Sequence, residues 1–69
     1  MKNNIRVERA ILNITQAELA KRVQVSRQTI NAIEAGKYVP STVLSLKICH
    51  VFNKSLEEVF ELEDSDWKE

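Results

Sequence analysis

Arg27, Gln28, Thr29 and Asn31 stand close together in the chain, and each carries groups suited to the edge of a nucleic-acid base. Arginine can meet guanine through two hydrogens, glutamine and asparagine can pair with adenine, and a threonine methyl can touch thymine. At about 100° per residue, Arg27, Gln28 and Asn31 share one side of a helix, flanked by Thr29 and Ala32. Ile30 and Ile33 point the other way. A merely solvated helix would favour Glu and Lys on its outer face. The pattern therefore predicts a helix whose outer side reads duplex DNA.

Other reactive groups lack the company that chemistry needs. The chain has a single Cys and a single His, Cys49 and His50, and adjacent helical residues diverge by about 100°. A core thiol beside a surface imidazole is expected. The acids from Glu57 to Asp66 lack the glycine and ligand register of a calcium loop, so they read as a solvated face. With one Gly in the chain, there is no phosphate-cradling loop. No enzymatic activity, metal or cofactor is expected.

The elements that must position the reading helix carry clear punctuation. A first helix begins at Asn3 or Asn4, either of which can cap it, and runs to about Leu12. Val7, Ala10, Ile11 and Ile14 follow the i, i+3, i+4, i+7 rule and are its expected apolar face, with Ile5 and Leu12 on a neighbouring stripe. Thr15 and Glu18 form a capping box for a second helix, whose inner side is Leu19, Ala20 and Val23. A break follows at Gln24-Val25. Ser26 caps the third helix, which runs to Ala35 before Gly36 in a left-handed conformation.

Tyr38-Val39-Pro40 makes a turn and Ser41 caps a fourth helix to about Asn53. Val43, Leu44, Leu46, Ile48, Val51, Phe52 and the Lys47 stem are its expected filling. Ser55 caps a short fifth helix with Leu56, Val59 and Phe60 inward. Phe60-Glu61-Leu62-Glu63 alternates, so residues 61–69 read either as a short strand paired with the N-terminus or as a frayed acidic tail carrying Trp67.

Sixty-nine residues support one domain with a small core. The composition, 43% hydrophobic with one Gly and one Pro, is that of a folded helical chain. No apolar run approaches the roughly 18 residues that span a bilayer, so a cytoplasmic location and no membrane partner are expected. The zero net charge conceals an asymmetry. Residues 1–40 hold seven bases against three acids (+4), and residues 41–69 hold three against seven (−4). The basic half would meet phosphates while the acidic half is kept away from them.

Two short helices joined by a tight turn can lie nearly perpendicular, one crossing the DNA backbone while the other enters the major groove. Residues 15–35 have the spacing of such a helix-turn-helix, held by Leu19, Val23, Val25, Ile30 and Ile33 with the small Ala20 between them. The runs Thr15-Gln16-Ala17-Glu18-Leu19-Ala20, Val25-Ser26-Arg27-Gln28-Thr29-Ile30-Asn31, Ile33-Glu34-Ala35-Gly36-Lys37-Tyr38 and Pro40-Ser41 resemble the Cro/C1-type repressors, or Xre family, from about Asn4 to Phe60. The likeness is greatest to short members consisting only of the DNA-binding domain, such as the cytolysin repressor type.

That resemblance implies an all-α, five-helix, lambda-repressor-like domain that acts on DNA. It also implies roles for particular residues. Arg27 and Gln28 would lead base reading, supported by Ser26, Thr29 and Asn31. Gln16 would bond a phosphate and brace Gln28, and Lys37 and Tyr38 would contact the DNA backbone. Arg9 and Glu34 would form a structural ion pair between the first and third helices. Two departures stand out: Gln24 occupies the turn position usually held by Gly, and Glu8 and Ile11 reverse the usual polarity of the first helix.

A single motif of this size buries little surface, whereas two half-sites about 34 Å apart would let a symmetric dimer read a palindrome. A homodimeric repressor is expected, joined through the fifth helix and tail by Phe60, Leu62 and Trp67. Double-stranded DNA is the expected partner, with no small-molecule ligand. The rival reading is an antitoxin-like or adaptor protein whose helical face binds another protein.

Overall fold

The computed structural model describes residues 1–68. Along the chain it comprises β1 (Lys2–Asn3), α1 (Ile5–Leu12), α2 (Gln16–Val23), α3 (Arg27–Glu34), α4 (Thr42–Phe52), α5 (Leu56–Val59) and β2 (Phe60–Glu61). A 3-10 turn over Asp64–Trp67 follows.

Four helices start at a hydroxyl. The side chains of Thr15, Ser26, Ser41 and Ser55 accept from the amides of Glu18, Thr29, Leu44 and Glu58, at 3.0, 3.1, 3.1 and 3.3 Å. Each bond satisfies a donor that the first helical turn leaves free. At Ser55 the box is reciprocal, since Glu58 accepts from the Ser55 amide at 3.0 Å. The expected box at Thr15 is only half formed, because the Glu18 carboxylate turns to Arg22 instead, at 2.9 Å. Helix α1 is capped by neither expected geometry alone. Asn4 occupies the cap position but donates to the Glu58 carbonyl (3.1 Å), while the side chain of Asn3 accepts from the Ile5 amide (3.2 Å).

The helices also stop at definite residues. Asn13, Gln24 and Asn53 adopt φ of 56°, 64° and 54°, and Gly36 lies at 75°. Asparagine tolerates this left-handed region and glycine is unhindered there. Gln24 is the strained member of the set.

The core gathers Ile5, Leu19, Ala20, Val23, Ile30, Ile33, Leu44, Ile48, Cys49, Phe52, Val59 and Phe60. The two strands pair antiparallel, Lys2 with Glu61 and Asn3 with Phe60, so the strand alternative holds for the start of the C-terminal segment. Beyond it the chain coils back on the N-terminus, where the terminal amine meets Glu63 at 2.8 Å and Asp66 at 3.2 Å.

Three inward faces differ from the sequence reading. In α1, Val7, Ala10 and Ile11 are exposed, Ile11 at 67%, and the inner side is Ile5 and Glu8, both buried. Asn3 and Asn4 tether the start of α1, and Arg9 reaches α3. With Ile5 and Arg9 facing the bundle, Val7 lies about 200° from each and must point out. In α4, Leu44, Ser45, Ile48, Cys49 and Phe52 are buried, while Val43, Leu46 and Lys47 face solvent with His50. Both stripes obey helical spacing, and packing against α2 and α5 chose between them. In α5, Leu56 is exposed, whereas Phe60, at the start of β2, is only 7% exposed. Phe60 thus belongs to the core, in keeping with its inward reading, and shows little surface for the expected subunit contact.

The charge asymmetry is not a clean separation in space either. Glu63 borders the same cavity, of about 290 Å³, as Glu34, Ala35 and Gly36. The acidic end therefore approaches the loop that carries Lys37.

Relief of the Gln24 backbone is testable. A left-handed non-glycine residue costs on the order of 1 kcal/mol, against which Gln24 makes one exposed bond, to the Lys47 amine at 3.1 Å. Gln24→Gly should stabilise the domain by roughly 0.5–1 kcal/mol, read as a higher urea midpoint with unchanged slope. A lower midpoint would show that the Lys47 contact outweighs the strain.

Candidate nucleic-acid interface

The residues that could meet DNA lie on α3 and the ends adjoining it. Burial of Ile30 and Ile33 under α2 and the rest of the core fixes the rotation of α3. That rotation leaves Arg27, Gln28 and Asn31 exposed on the other side. Thr29 is half-buried, and its hydroxyl lies 3.0 Å from that of Ser26. These two hydroxyls are engaged with each other and with the Thr29 amide, so both serve the start of the helix in this structure.

At the far end, α3 closes with a bond from the Gly36 amide to Ile33 and one from the Lys37 amide to Ala32, at 3.0 and 2.9 Å. The six-residue closure and left-handed Gly36 are a helix-ending arrangement that sets the direction of the next segment. Lys37 and Tyr38 leave it exposed.

Beneath the exposed face sits a charged cluster. The side chain of Glu34 is 1% exposed. Arg9 grips it with two hydrogen bonds, Nε to Oε2 at 2.7 Å and Nη2 to Oε1 at 3.1 Å. The remaining Arg9 nitrogen donates to the Ile14 carbonyl at 3.1 Å. One guanidinium therefore joins α1, the α1–α2 connection and the end of α3. Gln16 donates from Nε2 to Glu34 Oε1 at 3.2 Å, and Arg6 adds a more distant charge at 3.6 Å. Burial disfavours the Glu34 charge, but the hydrogen bonds from Arg9 and Gln16 and the two guanidinium charges outweigh it. Its carboxyl is held below the ordinary range.

Gln16 differs from its expected bracing role. Its amide nitrogen reaches Asn31 Oδ1, at 3.3 Å, and Glu34 rather than Gln28. Both its side-chain hydrogens are thus engaged by side chains of α3, the one to Asn31 at the surface. Asn31 and Gln16 form a coupled pair that sequence spacing did not reveal, because the partners sit on different helices.

Elsewhere, the Cys49 thiol is buried, which pushes its pKa up, and His50 is exposed. The two do not share a site. Among the described residues, no group of three or more His, Cys, Asp or Glu converges to hold a metal. No helix among them is long and apolar enough to cross a membrane.

Comparison with known proteins places this geometry in context. A helix-turn-helix family model matches residues 5–59. The chain is similar to an HTH-type transcriptional regulator of Methanocaldococcus jannaschii, at 50% identity over 96% of this chain and 100% of the relative. It is 47% identical to the HTH-type transcriptional regulator YgzD of Bacillus subtilis, over 96% and 100% of the two chains. A regulator of the same description from Archaeoglobus fulgidus is 47% identical over 96% of this chain and 93% of its own.

The buried pair should govern stability. Glu34 binds its proton more weakly in the folded state, so its contribution is complete above the ordinary carboxylate range. It is lost as pH falls toward the lower folded value. Arg9→Met, which leaves the carboxylate buried without its main partner, should cost about 3–5 kcal/mol at neutral pH. Glu34→Gln should flatten the acid limb of stability against pH. An acid limb unchanged by Glu34→Gln would assign the pH dependence to other carboxylates.

Proposed function

The chain belongs to the Cro/C1-type helix-turn-helix family of DNA-binding transcriptional regulators, and from that premise we propose that it is a homodimeric repressor reading a palindromic operator. The observation that carries this reading is the division of α3: Ile30 and Ile33 buried, Arg27, Gln28 and Asn31 exposed. In this reading α3 enters the major groove with Arg27 and Gln28 leading, and Ser26 and Thr29 set its first turn. Lys37 and Tyr38 lie against the backbone beyond its far end. Gln16 meets a phosphate through its main-chain amide at the start of α2, where the helix leaves a free donor. Its side-chain hydrogens are already engaged.

The dimer contact is best placed on the α5 side, away from the reading face. There an apolar cavity of about 200 Å³ is bordered by Val39, Pro40, Leu56 and Phe60, and Val39, Leu56, Leu62 and Trp67 are exposed, Trp67 at 76%. Leu62 and Trp67 thus remain candidates for the contact, with Val39 and Leu56 added and Phe60 as the floor beneath. Leu56→Asp should convert a dimer at micromolar concentration, measured by light scattering, into a monomer with weakened operator binding. A wild-type chain that stays monomeric with and without operator duplex would rule out this assembly.

A protein partner is the second reading, favoured by the exposed Val43 and Leu46 on α4. Selection from random duplexes followed by a salt titration separates the two. DNA binding should weaken by roughly 0.9 log unit per log salt for each phosphate neutralised. Arg27→Ala should cost about 1–3 kcal/mol on the selected duplex and relax preference at one base pair. Equal affinity of wild type and Arg27→Ala for selected and random DNA would remove α3 as the reading element.

A further inference from the structure

Asn31 stands on the exposed side of α3, but its amide is not free to show either end to a ligand. The constraint starts at Glu34. An ionised carboxylate has no hydrogen to give, so every hydrogen bond it makes is one it accepts. Gln16 must therefore face Glu34 with its amide nitrogen, as it does at 3.2 Å. The other hydrogen on that nitrogen is directed at Asn31, and only the amide oxygen of Asn31 can accept it. That contact is 3.3 Å long. Polarity passes from the buried charge to Gln16 and from Gln16 to Asn31, leaving Asn31 Nδ2 as the end that Gln16 does not hold.

We propose that Glu34 and Gln16 set the base preference of Asn31 by holding its amide oxygen, so that Asn31 meets the major groove as a hydrogen-bond donor. This rests on the DNA-reading role of α3 proposed above. An unrestrained asparagine pairs with adenine through both its atoms, giving to N7 and accepting from N6. With its oxygen drawn toward Gln16, Asn31 is turned from that two-atom match. Guanine, which offers two acceptors in the groove, becomes the best partner. Cytosine, which offers only an amino donor there, becomes the worst. Gln16 and Glu34 are then positioning residues for sequence readout, in addition to their structural bonds.

Two measurements test this. Side-chain amide exchange by NMR in the free protein should show the Gln16 hydrogens exchanging more slowly than those of Gln28, while those of Asn31 exchange as an open amide. Equal exchange of Gln16 and Gln28 would overturn the relay without reference to DNA. Duplex selection then finds the base pair whose preference disappears in Asn31→Ala. Wild type should favour guanine over cytosine there, and Gln16→Met should reduce that ratio by about fivefold or more. Asn31→Asp keeps an oxygen toward Gln16 but presents an acceptor outward, so its preference should move toward cytosine or adenine at lower overall affinity.

An adenine preference in wild type, or a Gln16→Met variant that weakens all sequences alike and keeps the ratio, would overturn the proposal. So would an Asn31→Ala variant with no altered position, and in that case Arg27-dependent selection would leave the reading role of α3 standing. A wild-type chain that selects no sequence would remove the reading role and the proposal together, even with the relay visible by NMR.

Discussion

Glu34 carries its charge at the carboxyl end of α3, where the helix dipole opposes it and burial opposes it again. Such a group persists only with close compensation, and Arg9 provides it through two hydrogen bonds. The third hydrogen bond from the same guanidinium goes to the carbonyl of Ile14. The contact thus does more than neutralise a charge. It sets the rotation of α1, holds the connection into α2, and anchors the end of the helix that faces outward. Replacing the pair by apolar residues need not lower stability, but it would remove the directional bonds that relate three elements to one another.

Around that anchor the helices are joined by junctions of one kind. A left-handed residue ends α1, α2 and α4, and a hydroxyl begins the helix that follows in each case. The turn between α2 and α3 is therefore built like its neighbours, and its Gln24 is the one residue poorly suited to the backbone it adopts. In a domain this small the ends also need restraint. Pairing of β1 with β2 and the bonds from Asn3 to the Ile33 carbonyl and from Asn4 to the Glu58 carbonyl supply it. The Asn3 bond reaches the end of α3 directly, so the closing sheet and α3 share a support.

Several apolar side chains remain outside the core, among them Val7 and Ile11 on α1 and Val43 and Leu46 on α4. Scattered exposed apolar residues are ordinary on a small protein. Here they arise because α1 and α4 each carry two stripes with helical spacing, of which one bundle can cover only one. On α1 the covered side even includes a carboxylate, Glu8, while Ile11 faces water. Attachment at Asn3, Asn4 and Arg9 outranks hydrophobic pattern in choosing that rotation.

What the sequence determined by itself was local. Hydroxyl residues ahead of apolar periodicity marked where helices start, and Gly36 marked where α3 ends, because these preferences depend on a few neighbouring dihedrals and hydrogen bonds. The chemistry of α3 was legible for the same reason: its two faces differ in kind, and helical spacing alone separates Ile30 and Ile33 from Arg27, Gln28 and Asn31. Tertiary structure decided whatever required comparing distant segments. It chose between equivalent stripes on α1 and α4, turned Leu56 out to solvent, and brought Glu63 near the Gly36 loop. It also placed Gln16 between Glu34 and Asn31, which no spacing along one helix could indicate. A side-chain amide looks the same from either end in sequence, and only its neighbours in space decide which end it shows.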